Sequence, residues 1–201
     1  MKTNRRHWLW LLLAAVVAIT LAHALDEWAW RALRDAKVND RDWGRLLRSM
    51  GYLPLWLVMG LGLWLQRRGV PDAGRQAGML ALAPALGGLA AEIGKLLIRR
   101  LRPDAELFGY AFRPFAEDLT STRGLGMPSS HVAVAFAGAA VLARLYPRAA
   151  GLWYLLAAGC AATRVLALGH FVSDTVAAAC LGWAVTAVLW KRVQRGASLG
   201  G

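Results

Sequence analysis

Lys95, Arg102 and Pro103, then Pro128-Ser129-Ser130-His131, then Arg164, His170 and Asp174 are the residues of this chain whose types and spacing suit chemistry. Written as patterns they are K-x6-R-P, P-S-S-H and T-R-x5-H-x3-D, each near the end of an apolar segment. Three cations, two histidines and a carboxylate are what attack on a phosphate ester at a membrane surface needs. Phosphoryl transfer is catalysed mainly by positioning and by stabilising charge on the equatorial oxygens, which cations and a helix start supply without a metal.

Each stretch has a plain reading as well. Pro103 fixes its own φ and biases Arg102 away from helix, so a helix carrying Lys95 ends there; Lys95, Arg99, Arg100 and Arg102 would then serve as headgroup anchors. Ser129 or Ser130 suits the N-cap of the Ala-rich segment that follows, and the free N–H groups of a helix start favour an anion beside His131. Asp174 lies one helical turn after His170, where a carboxylate holds one imidazole nitrogen and presents the other as nucleophile or base. The bland alternative there is an Arg164–Asp174 salt bridge within the membrane. Glu92 stands three residues before Lys95, as a local ion pair on one helix face requires. No cluster of metal-ligand type accompanies the histidines, and neither metal nor cofactor is expected. Cys160 and Cys180 lie inside apolar segments and read as small packing residues.

The elements that must position these groups are membrane helices. Hydrophobic residues make up 57% of the chain and mean hydropathy is +0.39, too apolar for an ordinary soluble domain. The 201 residues leave room for one domain, an all-α polytopic membrane protein spanning 1–201. Apolar segments fall at 8–25, 51–66, 77–98, 130–146, 150–168 and 172–190, giving six expected transmembrane helices. Small residues such as the Ala-rich stretch 133–140 allow close packing in lipid. Trp43, Leu46, Leu47 and Met50 recur at helical spacing, predicting an amphipathic helix in the first loop that lies in the interface or packs on the bundle. Lys2, Arg5 and Arg6 precede a run ending in Ala22-His23-Ala24, which also has the form of a cleaved signal; its length and two Trp favour a retained helix.

With six crossings, loops one, three and five share one membrane face, and all the candidate polar residues meet there. Charge does not orient that face: eleven Lys and Arg fall on the side of the termini and thirteen on the other. The net charge of +12 is distributed between apolar runs rather than in one basic patch, which excludes a nucleic-acid reader and points to anionic lipid headgroups in the bilayer as partners.

In order and spacing the three stretches resemble the signature of the type 2 phosphatidic acid phosphatase superfamily: K-x6-R-P, P-S-G-H and S-R-x5-H-x3-D. The resemblance covers about residues 90–190. It implies that His170 attacks phosphorus and forms a phosphohistidine, that Asp174 orients it, and that His131 protonates the leaving oxygen and then activates water. Lys95, Arg102 and Arg164 would bind the phosphoryl oxygens, with Ser129 and Ser130 completing the cradle. Ser130 and Thr163 depart from the family's usual Gly and Ser. P-S-S-H also occurs in polyprenyl-diphosphate phosphatases of the family, so the resemblance implies undecaprenyl diphosphate as substrate. Lipid A phosphate, phosphatidylglycerol phosphate and phosphatidate are the alternatives, as is a lipid phosphotransferase. It further implies a bacterial inner membrane with the site facing the periplasm. The competing class is a membrane protein that binds headgroups without chemistry; a paired histidine and carboxylate would be superfluous to it.

Overall fold

Every one of the six apolar segments is helical, because Leu- and Ala-rich stretches nearly free of internal Pro and β-branched runs satisfy their backbone groups internally. The computed structural model describes residues 5–35 and 37–199, and Lys2 lies outside them. The helices are α1 (Arg5–Ala32), α2 (Asp42–Ser49), α3 (Leu53–Gln66), α4 (Ala73–Ile98), α5 (Ser130–Leu145), α6 (Ala150–Leu166) and α7 (Val172–Leu199). Single 3-10 turns at Val38–Asp40 and Pro147–Ala149 join two of the links. Among the described residues there is no strand, only isolated bridges pairing Arg100 with Phe112 and Leu101 with Leu125.

The protein is an all-helical, multi-pass membrane protein, but the helices are unequal. Four stretches are long and apolar enough to cross a bilayer: Trp8–Ala32, Ala73–Ile98, Pro147–Leu166 and Val172–Gln194. Helices α2 and α3 meet that measure only as a pair, bent by 65° at their junction. The remaining segment, α5, has 16 residues, a rise of roughly 24 Å where a span needs about 30 Å.

The short helix α5 occupies the centre, against α4, α6 and α7. Its residues Val132 to Ala135 and Ala137 to Leu142 are buried. Protein rather than lipid surrounds it, so its length need not match the hydrocarbon thickness. Small residues set the spacing: a Cβ on Gly138 would sit 2.4 Å from the Trp56 indole of α3. Trp56 is fully buried among Met79, Leu80, Ala83, Val134, Val141 and Leu142, and its Nε1 donates to the Met50 carbonyl at 2.8 Å.

The expected helix in the first loop is α2. It docks on α6, with Leu47 over Gly159, and Met50 packs inward beyond its end. Trp43 and Leu46 stay exposed.

Helix α1 runs past residue 25 to Ala32, and its last turns reach the loop between α4 and α5. Trp30 Nε1 donates to the Asp104 carbonyl at 2.7 Å and Arg34 Nη1 to that of Ala105 at 2.9 Å. The loop is built around two arginines. Arg99 donates to the carbonyls of Arg113, Pro114 and Glu117, and Arg113 to those of Ser121 and Arg123. Phe108 packs against Trp30 and Phe171, and Tyr110 lays its ring on Phe171 while one side of it stays exposed, as Phe112 and Phe115 are.

Candidate active site

His170 lies in the short link between α6 and α7, buried at 3% exposure, and the start of α7 turns Asp174 back toward it. Nδ1 of His170 is 2.9 Å from the Gly126 carbonyl and 3.7 Å from Asp174 Oδ2. A carbonyl only accepts, so Nδ1 carries the proton and Nε2 holds the free lone pair. The Gly126 carbonyl therefore fixes the tautomer, and Asp174 adds its charge from slightly farther away.

Asp174 is itself tightly held. Its Oδ2 accepts from the Phe171 backbone N–H at 2.9 Å, and its Oδ1 pairs with Arg100 Nη2. Arg100 also donates to Ser173 Oγ at 2.8 Å, lies 3.2 Å from His23 Nε2, and stacks over Tyr110 and Phe171. Behind it, Asp26 of α1 accepts from the Ser173 N–H at 2.9 Å, the Ser173 hydroxyl at 2.5 Å and the Tyr110 hydroxyl at 2.9 Å. Burial together with the Asp26 carboxylate pushes the Tyr110 phenol up to about 12, so it stays a donor. A continuous polar chain thus runs from Asp26 through Ser173 and Arg100 to Asp174 and His170. Arg100 Nε is the one member of this polar chain left buried without a partner; the bonds that are made hold Asp174 and His170 in a fixed relation.

On the other side, the Lys95 ammonium is 2.7 Å from Glu92 Oε1 and 2.5 Å from Ser130 Oγ, and Ser130 in turn donates to Glu92. The local Glu92–Lys95 pair expected from spacing is present, and Ser130 closes it into a triangle that ties α4 to the first residue of α5. Ser129 is the N-cap residue, yet its hydroxyl makes no capping bond and has no partner although fully buried. Arg164 Nε, near the end of α6, is likewise buried without a partner. Orphaned buried donors carry a penalty of about 1–3 kcal/mol each, which an anion accepting from both would relieve. Arg102 is exposed at the mouth, and its charge acts on Arg164 and on His170. His131, in the first turn of α5, feels Arg164, His170 and Lys95.

The eight residues expected to bind or act on phosphate therefore meet at one end of the bundle, where the ends of α4 and α6 face the starts of α5 and α7. Three plain readings give way. Arg99 and Arg100 are not headgroup anchors but are 1% and 2% exposed, because loop carbonyls and Asp174 neutralise them. Asp174 pairs with Arg100 rather than Arg164. Ser129 does not cap with its side chain.

Arg100, Asp26, Ser173 and the Gly126 carbonyl were not among the residues expected here. Asp26 gives only a weak signal, an acid just beyond an apolar run that reads equally well as a surface charge. Nothing in a linear pattern marks a backbone carbonyl.

Burial lowers the His170 pKa below its ordinary value, against the opposing pull of Asp174. The imidazole therefore stays neutral below pH 6.5 and loses its free lone pair only on further acidification. In histidine-labelled protein, the 15N shifts of His170 are expected to titrate with a midpoint under 6.5; a midpoint above about 7 would contradict this environment.

A family model described as the PAP2 superfamily matches residues 76–197. No curated protein matches the chain by sequence. Among solved structures, the fold is similar to the crystal structure of the first transmembrane PAP2 type phosphatidylglycerolphosphate phosphatase from Bacillus subtilis. The TM-score is 0.64 at 18% identity, covering 93% of this chain and 96% of that one.

Proposed function

The chain belongs to the PAP2 superfamily, and from that premise we propose that it is a metal-independent membrane enzyme that removes a phosphoryl group from a lipid phosphate or diphosphate. One observation carries this: the Gly126 carbonyl holds the proton on His170 Nδ1, so Nε2 is a free nucleophile beside buried, unpartnered donors of Arg164 and Ser129.

His170 Nε2 attacks phosphorus, and the bond to the leaving oxygen breaks as the phosphohistidine forms. The Arg100-held Asp174 stabilises the positive charge that develops on the imidazole. His131 gives a proton to the leaving oxygen, then takes one from the water that cleaves the P–N bond. Lys95, Arg102 and Arg164 hold the equatorial oxygens with Ser129, and Ser130 sets the direction of the Lys95 ammonium. The whole chain, 1–201, acts as one domain with six crossings, α5 being the enclosed sixth and the bent α2–α3 pair one span. Trp43 and Leu46 suit α2 to the interface. The membrane is the bacterial inner membrane, with the site on its periplasmic face.

Undecaprenyl diphosphate is the substrate favoured by P-S-S-H. Phosphatidylglycerol phosphate is the second reading, because that is the lipid named for the similar Bacillus subtilis structure. Phosphate release by detergent-solubilised protein from these two lipids, lipid A and phosphatidate decides among them, and inactivity on all four would refute the enzyme. Vanadate, which takes the pentacoordinate geometry of the transition state, is expected to inhibit at micromolar to millimolar concentration, while EDTA leaves the rate unchanged. Loss of activity on chelation would assign a metal to the mechanism.

A further inference from the structure

A fourth cation reaches this site from an element outside the three motifs. Arg48 is the last arginine of α2, and its backbone carbonyl accepts from the Gly51 N–H at 3.0 Å. Gly51 abuts the start of α5 so closely that a Cβ there would lie 2.7 Å from the Cβ of His131. The same Arg48 carbonyl is 3.8 Å from Cys160 Sγ on α6, and Arg164 is one turn farther along that helix toward the site. The docking of α2 thus seats Arg48 between His131 and Arg164. Arg48 is half-buried, and its guanidinium makes no hydrogen bond or ion pair among the described residues.

Both histidines stand among cations. Arg164 and Arg48 are the charges felt most at His131, whereas those felt at His170 besides Asp174 are Arg164 and Arg102. Arg164 is common to both and central. Arg48 comes to the site on the His131 side, because Gly51, which donates to its carbonyl, backs directly onto His131; His131 serves the leaving group in the mechanism above.

An alcohol leaving group presents no anion to such a cation, and protonation by His131 suffices for it. A phosphate leaving group is an anion throughout, and a guanidinium placed beyond the acid is what binds it. Resting on the phosphatase reading above, we propose that Arg48 binds the phosphate that stays with the lipid, so that this site prefers diphosphates to monoesters. In that reaction His170 Nε2 bonds to the terminal phosphorus and the anhydride bond to the bridging oxygen breaks. The electron pair leaves on the lipid monophosphate, which Arg48 holds, and water then releases inorganic phosphate from His170.

The test uses diacylglycerol pyrophosphate and phosphatidate, which share a tail and differ by one phosphate, with full-length wild type, Arg48→Gln and Arg48→Lys in detergent. Wild type is expected to prefer the diphosphate. Arg48→Gln should lower kcat/KM on it by about 10- to 100-fold, the range for a lost charged hydrogen bond, and on phosphatidate by less than about threefold; Arg48→Lys should restore part of the loss. Equal losses on both lipids, or a wild type active without preference, would overturn the role of Arg48 while leaving the phosphatase intact. A wild type inactive on diacylglycerol pyrophosphate and undecaprenyl diphosphate but active on a monoester would also overturn the role of Arg48, and one inactive on every lipid of both panels would overturn the phosphatase itself. Competition on wild type is independent of how the variants fold: methylenediphosphonate should inhibit at a concentration at least about tenfold below methylphosphonate, and equal inhibition would count against the proposal.

Discussion

Replacement of His170 by Ala should reduce phosphate release by a factor on the order of 10^4 to 10^6, as for other nucleophiles whose loss leaves only binding and charge stabilisation. The reason is geometric. The Gly126 carbonyl commits Nδ1 to donation and leaves Nε2 as the nitrogen with a free lone pair. Brief incubation of wild type with a 32P-labelled lipid phosphate should place acid-labile, base-stable label on the protein, and His170→Ala should take up none. His131→Gln should still be labelled but turn over slowly, because proton transfer serves both half-reactions. If His170→Ala keeps more than about 1% of wild-type activity, another group attacks phosphorus and the mechanism is wrong.

The second large effect is expected at Arg100, outside every motif. Arg100→Met leaves the Asp174 carboxylate buried with only the Phe171 N–H and the His170 edge for partners. Removing one member of a buried pair costs about 3–5 kcal/mol, and thermal inactivation in detergent should move to clearly lower temperature. Activity should fall by roughly 10^2- to 10^3-fold, since Asp174 loses the contact that aims it at His170. The double variant Arg100→Met/Asp174→Asn separates the two roles: it should regain much of the stability, because the uncompensated charge is gone, yet stay inactive. A single variant as stable and active as wild type would show that the pair is incidental.

Much of this site is legible in the chain's linear pattern. K-x6-R-P, P-S-S-H and T-R-x5-H-x3-D pick out the candidate residues by type and interval, and the fold brings them to one end of the bundle. The Glu92–Lys95 pair also follows from spacing, because an i, i+3 interval on a helix is a distance in space. Asp26 shows where local reading stops. It stands outside the apolar run 8–25 and looks like a surface acid, yet α1 continues through it and delivers it to Ser173 and Tyr110. The enclosure of α5 by the other helices escapes local reading for a related reason: hydropathy measures how apolar a segment is, not whether lipid or protein surrounds it. The first-loop helix is visible in its periodicity, but its docking on α6, and with it the seat of Arg48, is not.

By itself, then, the sequence determined the class of chemistry, the membrane setting and the eight candidate residues of the site. Those follow from residue type and short intervals, which survive in any fold that keeps the helices. Tertiary structure decided the partners: Gly126 for His170, Arg100 for Asp174, Ser130 for Lys95 and the approach of Arg48 to His131. The closest of these pairs in sequence, Lys95 and Ser130, is 35 positions apart, and Arg100 and Asp174 are 74 apart. At such separations no periodicity relates two side chains, and only the packing of α1, α2 and the α4–α5 loop around the central short helix brings them together.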